Sequence, residues 1–234
     1  MSENLKKDYE HFKTEIQKGL RTTSKISGTL EVSFKKHHKS LYAITLLLMK
    51  LKENKTNENE YIFFQEIISD FLNISKLITL GFEIPSLVLL RRVIENFYNH
   101  IYYFDHKIEY LYLQRGKNEY TPIDKLKLYF DSHPVFFDRA DQTLKDYNQH
   151  LFNEYQDLCK VVHSKGSDSM NLSLTLKELR TEFDLDKFYK RLYQIELYLV
   201  YLLFKFHKTI KLTPVEKAIL VSLVPADKRG SLND

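Results

Sequence analysis

Residues 85–106, Pro-Ser-Leu-Val-Leu-Leu-Arg-Arg-Val-Ile-Glu-Asn-Phe-Tyr-Asn-His-Ile-Tyr-Tyr-Phe-Asp-His, decide how the rest of the chain is read. Apolar residues fall on nearly every side of a helical wheel here, which marks a helix enclosed by neighbours and not one lying on a surface. Pro85 suits the opening of such a helix, where a missing N–H is harmless, and Gly81 just before it suits the end of the preceding one. An enclosed helix needs other helices around it, and the flanking sequence supplies them.

Upstream, 61–80 is rich in Phe and Ile, and 28–52 carries Leu41, Ile44, Leu47, Leu48 and Leu51 before a polar stretch at 53–60. Both read as long helices. Residues 4–20 carry sparse apolar residues, with Leu5, Tyr9, Phe12 and Ile16 at spacings of three or four, the stripe of a short peripheral helix. Downstream, short helical patterns at 108–114 and 122–131 are separated by Gly116 and ended by His133-Pro134. The cleanest amphipathic pattern begins near Asp138 and runs through Leu144, Tyr147, Leu151, Phe152, Tyr155, Leu158, Cys159 and Val162, with Gly166 as its cap. Residues 167–176 alternate loosely, as a loop or short strand. A long helix is expected over 185–208 and a minor one over 215–223.

Composition agrees with a helical protein. Six Gly and five Pro make 11 of 234 residues, about 5% against the roughly 12% of average usage, too few for a turn-rich sandwich or barrel. The expected fold is all-α, a helical bundle over 28–210 with a peripheral N-terminal helix over 1–27 and a short C-terminal helix and tail over 211–234. A single Cys excludes an intramolecular disulfide and a Cys-based zinc cluster, and no leader pattern or span of about 20 apolar residues occurs. These features read as a cytoplasmic chain with no membrane segment, no cofactor and no metal.

Charge gives one local signal. The net charge is +4, and residues 1–40 alone hold nine Lys and Arg against five Asp and Glu, ending in Lys35, Lys36, His37, His38 and Lys39. Such a cluster either contacts phosphates or forms a solvated helix face. Lys35, Lys36 and Lys39, with Arg92, are the candidate nucleic-acid-binding residues. His37 and His38 diverge by about 100° on a helix and cannot share a metal ion.

Within the enclosed helix, Arg91 and Glu95 are four apart and share a face, whereas Arg92 lies on the neighbouring one. Buried charges need compensation, so the pair either fixes register between packed helices or offers the Arg91 fork to a phosphate or carboxylate in a cleft. On the amphipathic helix, Tyr155, Cys159 and His163 form a stripe, each four residues after the last. His163 reads as either a satisfied core histidine or an acid–base group, and Cys159 as a buried structural thiol. No Gly-rich phosphate loop, HExxH or GxSxG sequence is present.

Residues 80–97, LGFEIPSLVLLRRVIENF, followed some sixty residues later by YQDLCKVVHS at 155–164, resemble the HEPN-like helical superfamily, in particular bacterial domains of unknown function with LLRxxxE and YxxLCxxVH motifs. The matching residues are Arg91, Glu95, Tyr155 and His163. The resemblance implies a four- or five-helix core, a homodimer or a subunit of a larger complex, and proteins that bind or cut RNA in bacterial antiphage-defence or toxin systems. The catalytic pattern of that superfamily, an Arg followed five to seven residues later by a His, is absent; Arg92 and His100 are eight apart. Whether the chain is an enzyme is therefore left open. The expectation is that Arg91, Glu95 and His163 converge from two helices as a phosphate-binding Arg and an acid–base pair; the alternative is a non-catalytic helical oligomerisation or accessory module.

Overall fold

The computed structural model describes residues 3–17, 26–53, 61–117, 121–136, 141–162 and 184–229. Among them are nine α-helices and no strand: α1 (Glu3–Gln17), α2 (Gly28–Glu53), α3 (Ile62–Thr79), α4 (Glu83–Asp105), α5 (Lys107–Gln114), α6 (Ile123–Ser132), α7 (Gln142–Val162), α8 (Leu185–Phe206) and α9 (Pro214–Leu223). The fold is an all-α bundle. Gly166 and the 167–176 segment, read above as a cap and as a loop or strand, lie outside the described residues.

Helix α4 is the enclosed helix its composition announced. Every residue from Asn96 to Ile101 is buried, which a helix achieves only with neighbours on all sides. It packs against α3, α6 and α7, while α2 and α8 form the other extensive pair. One apolar cluster runs from Tyr9 on α1 to Val224 beyond α9. Helix α1 contributes its narrow stripe, with Leu5, Tyr9 and Ile16 buried.

Local chemistry sets the boundaries. Gly81, at φ 81°, adopts the left-handed conformation that lets its N–H reach the Ile78 carbonyl and the Phe82 N–H the Leu77 carbonyl, which closes α3 and turns the chain into α4. Helix α4 begins two residues earlier than Pro85 suggests. Pro85 is its third residue, still within the first turn whose N–H groups have no intrahelical partner. Asp184 caps α8 by accepting from the Lys187 N–H, and Thr213 and Glu216 form a reciprocal box at the start of α9.

Polar groups inside the bundle are joined into short chains, because a lone buried polar atom is costly. The Tyr98 hydroxyl donates to Asn148, whose amide donates to Asp131. His100 on α4 and His207 at the end of α8 share a hydrogen bond between their Nε2 atoms at 2.8 Å, so one ring donates and the other accepts. Phe64, Phe104 and Phe206 surround them.

Candidate functional site

Arg91 and Glu95 occupy successive turns of α4 on the side that meets α7. Arg91 Nη2 lies 3.2 Å from Glu95 Oε1 and 3.4 Å from Oε2. From α7, the Tyr155 hydroxyl donates to Glu95 Oε1 at 3.2 Å, its ring centre is 5.8 Å from the Arg91 guanidinium carbon, and Cys159 Sγ stands 3.8 Å from Arg91 Nη1. Packing of α4 on α7 thus gathers a guanidinium, a carboxylate, a phenol and a thiol at one place. His163, the third expected member, lies outside the described residues.

This cluster is neither sealed nor open. The Arg91 and Glu95 side chains are 23% and 17% exposed. The Nε of Arg91 is buried and has no hydrogen-bond partner among the described residues. Burial works against the Arg91 charge, but contact with Cys159 and the charge of Glu95 outweigh it and hold its pKa above the ordinary value. Burial first, then Cys159 and Glu95, push the Tyr155 phenol up, so it stays a neutral donor at physiological pH. An arginine held by one carboxylate at long distance keeps donors for a second anion.

Arg92 does different work. Its guanidinium makes a two-pronged hydrogen bond to the wholly buried carboxylate of Asp70 on α3, while half of its own side chain is exposed. This engagement, and not a free surface charge, is what its position provides. Arg92→Ala would leave that carboxylate buried without its cation and is expected to cost about 2 kcal/mol of stability in chemical denaturation. A loss below half of that would show that Asp70 finds other compensation.

The three lysines also separate. Lys35 faces α1, its ammonium 5.4 Å from the Tyr9 ring centre and 3.9 Å from Glu31. Lys36 faces α8, 5.6 Å from the Tyr193 ring centre. Lys39 is half-buried, and burial, then Arg229, lower its pKa. Lys35 and Lys36, adjacent in the chain, point about 100° apart and so meet different helices, α1 and α8.

One constellation escaped sequence reasoning. His37 on α2, Glu196 on α8 and Ser75 on α3 are all fully buried, with Nδ1 of His37 2.6 Å from Glu196 Oε1 and Nε2 2.9 Å from Ser75 Oγ. Ser75 in turn donates to the Phe71 carbonyl. Burial pushes the Glu196 carboxyl well up and His37 down to about 3. A neutral acid donating to Nδ1, with Nε2–H donating to Ser75, satisfies every link in one direction. The signal that could have found it is Glu196 itself, a lone acid in the apolar run of α8.

No group of three or more potential metal ligands occurs among the described residues, and none of their helices is long and apolar enough to cross a membrane. A scan against protein-family models and searches of curated proteins and of solved structures found no match to this chain.

Proposed function

We propose that this chain is a HEPN-like helical protein that binds RNA through the α4–α7 cluster, as a component of a bacterial antiphage-defence or toxin system. The observation that carries the reading is Arg91, a partly exposed guanidinium pinned by Glu95, itself pinned by Tyr155. The carboxylate and the phenol fix the plane of the fork. The Arg91 side chain keeps 23% of its surface exposed, and a guanidinium matches a phosphate in geometry as well as charge. His163 is the proposed acid–base partner if cleavage accompanies binding.

A second reading has its own support. Arg91, Glu95 and Tyr155 join α4 to α7, and Arg92 with Asp70 joins α4 to α3, as in a non-catalytic module whose charged pairs fix helix register. Single-stranded RNA binding by the purified chain separates the two. Arg91→Ala is expected to weaken binding about tenfold or more, with partial recovery in Arg91→Lys and an unchanged fold. Equal affinity of Arg91→Ala and the parent chain removes the RNA reading and leaves the register role. His163→Ala tests cleavage separately, by whether labelled RNA stays intact.

A further inference from the structure

A second site lies on another face. Between the N-terminal half of α2 and the first turns of α8 is a groove of about 390 Å³, lined among others by Thr29, Ser33, Lys36, Lys190, Tyr193 and Gln194. That is within the range of small-ligand sites, roughly 300 to 1,000 Å³. Its charges are unequally used. Lys190 is neutralised by Asp186 at 2.6 Å, and Ser33 donates to the same carboxylate. Lys36 has no carboxylate partner among the described residues, and its ammonium rests over the Tyr193 ring. The hydroxyls of Thr29 and Tyr193 likewise have no hydrogen-bond partner among the described residues. Lys36 is thus the cation of the groove that no carboxylate among the described residues neutralises, whereas Lys190 is held by Asp186 and also feels Asp184.

The chemistry of these groups selects a ligand. An unpaired ammonium calls for an anion, and Thr29 stands in the first turn of α2, where the helix dipole and free N–H groups add to the attraction. A half-buried aromatic ring beside that ammonium offers a flat apolar surface to a planar body. Burial pushes the Tyr193 phenol up, so its hydroxyl stays protonated and able to donate.

We propose that the α2–α8 groove binds a phosphorylated nucleoside, with Lys36 and the start of α2 holding the phosphate and Tyr193 stacking the base. The phosphorylated nucleoside is either a free nucleotide or the phosphorylated end of a strand. This site is independent of the α4–α7 cluster, and its test separates the two.

The full-length chain is titrated calorimetrically with the four nucleoside 5′-monophosphates, the four nucleosides, inorganic phosphate and a 5′-phosphorylated hexanucleotide. At least one monophosphate is expected to saturate below about 1 mM and to bind about tenfold tighter than its nucleoside and than inorganic phosphate. Lys36→Ala is expected to weaken it about tenfold or more, Tyr193→Ala similarly, and Tyr193→Phe much less. Arg91→Ala keeps full affinity. A hexanucleotide binding tighter than the monophosphate, with the same dependence on Lys36, assigns the ligand to a strand end; a weaker one assigns it to the free nucleotide. Failure of all four monophosphates and of the hexanucleotide to saturate, affinity unchanged in Lys36→Ala, or inorganic phosphate binding as tightly as the nucleotide would each overturn the proposal.

Discussion

Glu196→Ala is expected to remove on the order of 2 to 4 kcal/mol of folding stability, the cost of leaving a buried imidazole nitrogen unpaired together with that of the cavity left by the side chain. The carboxyl is wholly buried and 2.6 Å from His37 Nδ1, so its loss leaves the imidazole without its partner in a place water does not reach. The pH dependence is as diagnostic as the magnitude. Folded, the pair holds one proton, because burial raises the Glu196 pKa well above its ordinary 4.5 and lowers that of His37 from 6.5 to about 3. Unfolded, it holds two protons below pH 4.5, one between 4.5 and 6.5, and none above.

Stability follows the difference in bound protons. The raised Glu196 pKa contributes stability that is full below pH 4.5 and lost as pH rises. The lowered His37 pKa contributes stability that is full above pH 6.5 and lost as pH falls. Their sum is a plateau between the two ordinary values, with a decline on either side. Glu196→Gln removes the Glu196 contribution, so its stability rises with pH between the two ordinary values and is level above them. Urea-unfolding midpoints from about pH 5 to 8.5 should therefore show the parent chain losing ground to Glu196→Gln, by on the order of 1 kcal/mol per pH unit. Parallel profiles would mean that Glu196 is ionised in the folded bundle.

The second large effect is a cavity. Phe97 is fully buried at the middle of α4, its ring 5.2 Å from that of Tyr98 and 5.7 Å from that of Phe130 on α6. Phe97→Ala is expected to cost about 3 to 5 kcal/mol, since helices on every side of α4 leave little room to collapse into the void. Val88→Ala, on the exposed side of the same helix, should cost under about 0.5 kcal/mol. A Phe97→Ala loss near that of Val88→Ala, measured by chemical denaturation, would contradict the enclosure of α4.

That enclosure is legible in the sequence of residues 85–106, because a helix without a polar face has no surface position to occupy. The Arg91–Glu95 pair is legible for a local reason as well, four residues being about one turn. What the spacing of Tyr155 and Cys159 does not contain is their address. Only the packing of α4 on α7 puts the phenol on Glu95 and the thiol near Arg91. Arg92 reads from its neighbours in the chain as a nucleic-acid contact, since nothing local shows that Asp70, 22 residues earlier, turns its buried carboxylate toward it.

Period and composition by themselves determined that this chain is helical, that residues 85–106 form its centre, and that Arg91 and Glu95 share a face, because each follows from geometry repeating every few residues. Tertiary structure alone decided the meeting of Lys35 with Tyr9 and of Lys36 with Tyr193, the pairing of Arg92 with Asp70, and the meeting of His37 with Glu196 across 159 positions. Contacts of that kind depend on which helix faces which, and that is settled by how whole side-chain surfaces fit together, not by the residues adjacent in the chain.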